Sequence, residues 1–438
     1  MTAGLAASMA LVGFPLIGAL ASLACWSHPN RLRTCSIVTA GATLAVALGL
    51  ATTAALPSNV LLFVCLLPIA AMTSLLGQPA HALHRHSWLM TLVFLGLGMG
   101  TLTQAGPIRS LFLAAIAALA SMLLFRHHSP LWPMSWLGII ICGTGSLAAV
   151  VATVAEPRLS AHAMLVAAAV LMPLVPLHSG FLGALTRLPG SLPPFLVVLF
   201  PLTGFQTVMA SIPAASDTLT GLLTILAGGG AAYGALKAPA QSRVRLRLAY
   251  GSLSFLSISW WFAATHGTGQ SAAVFVGAVA LATSGLLSSW QIVRTRYGDD
   301  VDPQAVSGLA SSMPRYAVLF SLLALAAIGL PPFGVFAGFV GLLLSPNVSF
   351  SAVLVVILAT WLAASWYVLD MAQRLLFGAP RADLRHADLH GDELAALLLP
   401  VLVLIALGVV PSDVFAPGSP VTPATAEMGR FAWNVWTN

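Results

Sequence analysis

Long apolar runs set the first limit on what this chain can fold into. Many approach the roughly 20 residues that a helix needs to cross a hydrocarbon core about 30 Å thick. Charged residues make up only 7% of the 438 residues, whereas a soluble domain usually has about 25%. The period-two alternation of a membrane β-barrel does not occur. The sequence therefore predicts an all-α integral membrane protein.

Helix-breaking residues divide these runs into about fourteen predicted transmembrane helices. We expect residues 1–411 to form one helical bundle and residues 412–438 to form a short C-terminal tail along the membrane surface. The first apolar run is read as a retained span and not as a cleaved signal peptide. The predicted spans are 3–25, 35–56, 60–77, 88–104, 109–125, 133–155, 162–177, 193–213, 217–238, 246–265, 270–294, 316–345, 350–377 and 393–411.

The distribution of basic residues predicts the orientation of the bundle. Three of the eighteen, Arg109, Arg158 and Arg430, fall in even-numbered loops or in the tail. Because basic residues favour the cytoplasmic side, this asymmetry places both termini in the periplasm of a bacterial inner membrane. The helix ends that carry the other fifteen are called the basic end, and those residues are Arg31, Arg33, Arg85, Arg126, Arg187, Lys237, Arg243, Arg245, Arg247, Arg294, Arg296, Arg315, Arg374, Arg381 and Arg385.

Several function classes find no support in the sequence. There is no glycine-rich nucleotide loop, no HExxH and no serine elbow, and the scattered arginines do not form a nucleic-acid surface. The four cysteines form no CxxC pair, so no metal and no cofactor is expected. Two groups of residues are expected at the membrane interface: the loop histidines His81, His84, His86, His127 and His128, and the tryptophans Trp26, Trp132, Trp136, Trp260 and Trp261.

Two proline-rich segments interrupt the predicted helices. The first runs from Pro173 through Pro176 to His178, inside a region of residues 162–213. The second contains Pro331 and Pro332, inside residues 316–345. Proline removes a backbone donor and clashes with the preceding turn. Such breaks are either tight turns between helices or discontinuous helices at membrane depth, where they line a cavity or are buried in protein.

The sequence around these breaks resembles one family. Residues 173–178 read Pro-Leu-Val-Pro-Leu-His, residues 233–254 begin Tyr-Gly and end Ala-Tyr-Gly-Ser-Leu-Ser, and residues 329–334 read Gly-Leu-Pro-Pro-Phe-Gly. Together with Tyr367 to Gly378, these blocks resemble the antiporter-like membrane subunits shared by respiratory complex I, Mrp-type cation antiporters and membrane-bound hydrogenases. The resemblance implies two discontinuous helices in an inverted-repeat arrangement.

The resemblance also implies a central line of lysine, glutamate and histidine that carries protons or Na⁺, and most of that line is missing. Leu202, Phe255 and Phe339 stand where the family usually has titratable residues, and Arg245 replaces a lysine. Arginine stays protonated and cannot exchange protons near neutral pH. The predicted span 109–125 contains no acidic residue. A complete relay is therefore not expected.

The remaining polar residues give the candidates for an ion path. His178 at the first break either relays protons or satisfies broken-helix carbonyls. Lys237 either replaces a relay lysine or snorkels to the interface. Arg245 is expected to be the inward-facing member of its arginine cluster. Asp370 either lines the path or forms a structural pair with Arg374, four residues later on the same helix face. Two further residues, Thr203 and Gln206, are predicted to line a cavity.

The leading functional hypothesis is a membrane subunit of a multi-subunit ion- or proton-translocating complex, acting as a partial path or as a non-conducting scaffold. Its partners would be other membrane and peripheral subunits, lipid, and protons or Na⁺. The chain would be at most a non-catalytic part of an oxidoreductase, either an NADH-quinone oxidoreductase or a hydrogenase. The alternatives are the membrane half of an inorganic-carbon uptake system, driven by cation flow and paired with a zinc protein resembling carbonic anhydrase, and a purely structural subunit.

Overall fold

A computed structural model describes residues 2–51, 56–127, 135–267, 269–297, 306–345, 352–378 and 387–410, and within these ranges the chain is helical without β-strands. Two short 3₁₀ turns, Ala82–His84 and Ile212–Ala214, accompany the α-helices. The α-helices are α1 (Thr2–Ala24), α2 (Pro29–Ala51), α3 (Ser58–Leu76), α4 (Arg85–Thr103), α5 (Gly106–Arg126), α6 (Ser135–Val154), α7 (Pro157–Leu171), α8 (Ser179–Arg187), α9 (Leu192–Ser211), α10 (Asp217–Lys237), α11 (Val244–His266), α12 (Gln270–Tyr297), α13 (Leu309–Ser312), α14 (Pro314–Ile328), α15 (Gly334–Leu343), α16 (Ala352–Leu376) and α17 (Gly391–Val409).

The predicted all-α membrane fold is confirmed. Ten of the described helices are long and apolar enough to cross a membrane. Each predicted span overlaps one helix or one broken pair, although the total of fourteen crossings remains a prediction. Some helices begin earlier than predicted. Proline stands at the start of α2, α7 and α14, where its missing N–H would be unsatisfied in any case. The tail 412–438 lies outside the described residues.

Two helices form the centre of the bundle. In α12, 94% of the most apolar window is buried, and in α9 the value is 83%. In contrast, about a third of the residues are buried in α2, α6, α10, α16 and α17. Helices α3, α9, α11, α15 and α17 all pack against α12. The buried core therefore lies around α9 and α12, and the outer helices present apolar faces outward.

Side-chain contacts bring the basic helix ends together. Arginines near one helix end bond to groups at the same end of neighbouring elements. These contacts are Arg33 to the Leu76 carbonyl at 3.0 Å and to Asp392 at 2.9 Å, Arg85 to the Ser27 carbonyl at 3.3 Å, and Arg296 to Glu393. Arg33, Arg85 and Arg296 of the predicted basic end thus lie at one face of the folded bundle. Four residues of the sequence predictions, Arg381, Arg385, His128 and Trp132, lie outside the described residues.

Both proline segments interrupt helices, as predicted. Residues 172–178 separate α7 from α8, and residues 329–333 separate α14 from α15. Gly329 ends α14 with a φ of 82°, a left-handed conformation that glycine adopts without steric cost. Because α8 ends at the basic end and α14 begins there, the two broken helices cross the bundle in opposite directions. Opposite directions are what an inverted repeat requires, and the repeat itself stays a prediction.

Candidate functional site

The first break holds His178 beside two tyrosines. His178 precedes α8 directly, and its ring lies edge-on to Tyr233 of α10 with the ring centres 5.4 Å apart. Tyr233 in turn lies edge-on to Tyr250 of α11 at 5.9 Å. The break therefore places an imidazole at one end of a short row of tyrosine rings.

Buried polar atoms continue this row. His178 Nδ1, Ser179 Oγ and Ser257 Oγ are buried and have no hydrogen-bond partner within the described residues. Ser257 stands seven residues after Tyr250, so both lie on one face of α11. Hydroxyl and neutral imidazole groups both donate and accept hydrogen bonds, and histidine titrates near neutral pH. Each of these groups is thus chemically able to exchange a proton, although no hydrogen bond joins His178, Ser179 and Ser257 within the described residues.

The end of α7 is held by an indole. Trp260 Nε1 of α11 donates to the Met172 carbonyl at 2.9 Å, and so satisfies a carbonyl that the break would leave without a helical partner. Trp260 is fully buried, so its predicted role as an interface anchor is wrong. Of the two prolines in this break, Pro173 is buried and Pro176 is exposed.

The arginine cluster at the start of α11 differs from the prediction in one respect. Arg247 is buried, with 7% of its surface exposed, whereas Arg245 is only partly buried. Arg245 Nη1 donates to the Thr186 and Leu188 carbonyls, both at 3.3 Å. It therefore holds the C-terminal end of α8. The most inward-facing arginine is Arg247, because its side of α11 packs against α16.

Asp370 binds two arginines. Its Oδ2 accepts from Arg247 Nη1 at 2.7 Å, and its Oδ1 accepts from Arg374 Nε at 2.8 Å. The predicted pair with Arg374 is present, but the partner from α11 stands 123 residues away in the chain. Arg247 also donates to the Gln241 and Pro239 carbonyls. The carboxylate lies near the basic end of α16, where it joins two helices and a loop.

Lys237 is exposed at the last residue of α10. An exposed ammonium at a helix end is the geometry of a snorkelling side chain. Lys237 also stands four residues after Tyr233, one turn further along the same face of α10, so the relay alternative stays a prediction.

The two predicted cavity residues of α9 behave differently from each other. Thr203 is fully buried and bonds back to the Leu199 carbonyl of its own helix at 2.8 Å. Gln206 is also buried, but its Oε1 has no hydrogen-bond partner within the described residues. Only Gln206 retains an unused polar atom, so it remains the better candidate to line a cavity.

The second break is held by a second indole. Trp361 Nε1 of α16 donates to the Ile328 carbonyl at 2.8 Å, and Ser365 Oγ approaches the same oxygen at 3.4 Å. This contact repeats the one between Trp260 and Met172 at the first break. Leu330, Pro331 and Pro332 are exposed, whereas Phe333 is buried beside them.

Aromatic rings surround Trp361. Phe339 of α15 packs directly against it, and Phe255 of α11 lies with its ring centre 6.4 Å away. Phe262 and Phe275 also contact Phe339, with ring centres 6.5 Å and 5.7 Å apart. These five rings are called the aromatic plug. Phe255 and Phe339 are two of the positions at which the resemblance implies titratable residues, so the plug stands where a relay would pass.

No group of three metal-ligating residues occurs within the described part of the chain. Three residues that shape the two breaks, Tyr233, Tyr250 and Trp361, were not predicted as site residues from the sequence. The spacing of polar and aromatic residues on α11 could have pointed to one shared helix face, because Tyr250, Ser254, Ser257 and Trp261 recur at helical intervals. No local signal pointed to Trp361, whose partner carbonyl lies 33 residues earlier.

Comparison with known proteins gives concordant matches. A family model described as NADH:quinone oxidoreductase/Mrp antiporter, transmembrane, matches residues 146–366. The chain is 28% identical over 292 residues to NADH-quinone oxidoreductase subunit M of Pseudomonas aeruginosa, covering 62% of this chain and 56% of that protein. It is 31% identical over 251 residues to NADH-quinone oxidoreductase subunit 13 of Thermus thermophilus, covering 55% and 52%. The chain spans about half the length of these relatives.

Solved structures share the fold. A chain of respiratory complex I from Thermus thermophilus with bound NADH aligns with a TM-score of 0.76 and 21% identity, covering 93% of this chain and 98% of that one. A chain of the membrane-bound sulfane sulfur reductase, an archaeal respiratory membrane complex, aligns with a TM-score of 0.78 and 14% identity, covering 93% and 95%. At these identities the alignments establish the helical architecture.

Proposed function

Because this chain belongs to the NADH:quinone oxidoreductase/Mrp antiporter family of transmembrane proteins, we propose that it is a membrane subunit of a multi-subunit, proton-translocating complex in a bacterial inner membrane. Its termini lie in the periplasm in this proposal, and the basic end faces the cytoplasm. Within that complex the chain supplies an incomplete proton path. One half reaches from the basic end to His178, and the other half is closed.

The aromatic plug is the observation that carries this proposal. A proton crosses a membrane protein through groups that exchange protons, or through water held by polar side chains. At Phe255, Phe339 and Trp361 the plug has no group that exchanges protons and no free polar group to hold water, because its one indole N–H is already bonded to the Ile328 carbonyl. At the first break, the rings of Tyr233 and Tyr250 form a row that ends at the imidazole of His178. Access to one side without transit to the other is therefore the expected behaviour.

Proton flux into liposomes tests both halves. Vesicles that contain the purified chain and a pH-sensitive dye receive a potassium diffusion potential, and the rate of internal acidification is measured. We expect the wild type to match empty vesicles. We expect Trp361→Ala to accelerate acidification, because removal of the indole leaves space for several waters at about 30 Å³ each.

Two further substitutions in the Trp361→Ala background identify the path. His178→Ala is expected to return the rate toward that of empty vesicles, whereas Lys237→Ala is expected to leave it unchanged because that lysine is exposed at the end of α10. Proton conduction by the wild-type chain would contradict the proposal that the aromatic plug closes one half of the path. A folded Trp361→Ala protein that stays tight to protons would support the purely structural alternative.

Purification of the tagged chain from its native membrane tests the assembly. Co-purifying subunits of a quinone oxidoreductase or hydrogenase would support the proposal. A zinc protein resembling carbonic anhydrase as the main partner would instead support the inorganic-carbon alternative.

A further inference from the structure

A compact cluster of basic and aromatic residues lies at the basic end, away from both helix breaks. Trp26, which follows α1, lies edge-on to His86 of α4 with the ring centres 4.9 Å apart. Arg85 Nη2 donates to the Ser27 carbonyl at 3.3 Å. His127 lies directly after α5, and its pKa is lowered by burial and then by the charges of Arg126 and His86. Trp26, Arg85, His86, Arg126 and His127 are called the basic patch.

The arginines of the basic patch have no acidic partner among the residues that the structure describes. The first 155 residues contain no aspartate or glutamate, since the first acidic residue is Glu156. Arg33 of the same region reaches Asp392 of α17. In contrast, neither Arg85 nor Arg126 forms a salt bridge within the described residues, and the buried Nε of Arg85 has no hydrogen-bond partner there. Within the described part of the chain, the positive charge of the patch is therefore not paired with a carboxylate.

An apolar face adjoins this charge. Met122 and Phe125, in the last two turns of α5, are 68% and 58% exposed. Phe125 also lies against Trp136 of α6, with the ring centres 5.9 Å apart. His86, Arg126 and His127 are exposed just beyond these residues. A ligand with an anionic head and apolar tails matches this sequence of surfaces along α5.

We propose that the basic patch binds the phosphate of an anionic phospholipid, with the acyl chains lying along Met122 and Phe125. Basic pockets between membrane helices recognise such headgroups, with about 1 kcal/mol for each arginine near the surface. Arginine suits phosphate because its planar fork donates two hydrogen bonds at once. The Trp26 ring lies at the level of the helix ends, where tryptophan anchors proteins to the interface. This site is independent of proton conduction.

Native mass spectrometry of the purified full chain tests the proposal. The protein is incubated with equal amounts of phosphatidylglycerol and phosphatidylcholine, and the bound lipids are counted. We expect the wild type to retain phosphatidylglycerol preferentially. We expect Arg85→Gln and Arg126→Gln each to weaken that preference about fivefold, which is the factor that corresponds to about 1 kcal/mol.

Two controls separate a specific site from general charge and from misfolding. Arg315→Gln removes an exposed arginine at the start of α14, and we expect it to leave the preference unchanged. Arg85→Lys/Arg126→Lys retains both charges, and we expect it to keep a preference that Arg85→Gln/Arg126→Gln loses. Equal retention of the two lipids by the wild type would overturn the proposal, as would an Arg315→Gln effect as large as that of Arg126→Gln.

Discussion

The indole hydrogen bonds of Trp260 and Trp361 differ in one way, and this difference predicts how much stability each of them contributes. Trp260 is the only side-chain donor to the Met172 carbonyl within the described residues. The Ile328 carbonyl receives Trp361 at 2.8 Å and also has Ser365 Oγ at 3.4 Å. Substitution by phenylalanine keeps an aromatic ring and removes only the N–H. We therefore expect Trp260→Phe to destabilise the protein more than Trp361→Phe.

The magnitudes follow from what each substitution leaves behind. A buried carbonyl without a partner costs about 1–3 kcal/mol, and interhelical hydrogen bonds in membrane proteins lie nearer the lower end of that range. We expect about 1–2 kcal/mol for Trp260→Phe. After Trp361→Phe, the Ser365 hydroxyl, which donates to the Trp361 carbonyl of its own helix at 2.9 Å, can turn to the Ile328 carbonyl and needs to approach it by only a few tenths of an ångström. We expect a loss below about 1 kcal/mol for that variant.

Unfolding by sodium dodecyl sulfate in mixed micelles, followed by circular dichroism, measures both changes. Trp366→Phe is the matched control, because Trp366 lies on the same helix as Trp361 and is 67% exposed. Adding Ser365→Ala to Trp361→Phe removes the substitute donor, and we expect the combined loss to approach that of Trp260→Phe. A Trp361→Phe loss equal to or greater than the Trp260→Phe loss would refute the reasoning.

Three further predictions concern the charged groups. Asp370→Asn leaves the buried Arg247 without a carboxylate, and we expect a loss of about 2–3 kcal/mol in the same unfolding assay, whereas Asp370→Leu/Arg247→Leu recovers most of it. Lys237→Ala is expected to change stability by less than about 0.5 kcal/mol, as is usual for exposed positions. The pKa of His127 is lowered by partial burial and then by the charges of Arg126 and His86. A bound phosphate raises that pKa, so phosphatidylglycerol is expected to bind more tightly as the pH falls from about 8 to 6. His127→Gln weakens that pH dependence in the mass-spectrometric assay, and an unchanged pH dependence would contradict the placement of His127 at the headgroup.

The fold was largely predictable because membrane crossing imposes strong local rules. Apolar length, proline positions and arginine asymmetry each act within a single segment, and each left a readable signal. The helix ends that share the basic residues do meet in the structure, as the contacts of Arg33 and Arg85 show. Even the ion pair between Asp370 and Arg374 could be predicted, since its members are separated by one helical turn.

The contacts at the breaks could not be predicted, because they depend on which face of each helix points inward. Arg245 and Arg247 are two residues apart and so project to nearly opposite sides of α11. Local sequence does not say which side faces α16. Trp260 lies near a predicted span end, which suggested the interface, but a carbonyl 88 residues earlier fixes it in the core. Such choices are set by tertiary packing.

Helix α11 supports both halves of the first broken helix. Trp260 donates a hydrogen bond to the end of α7, and Arg245 donates one to the end of α8. Arg245 and Trp260 are fifteen residues apart on this helix, which is about 22 Å at the usual helical rise. The length and straightness of α11 therefore fix the angle between α7 and α8. These two helices cannot hinge independently while both hydrogen bonds are present. Trp361 of α16 likewise joins the two parts of the second broken helix, because it donates to the Ile328 carbonyl at the end of α14 and packs against Phe339 of α15.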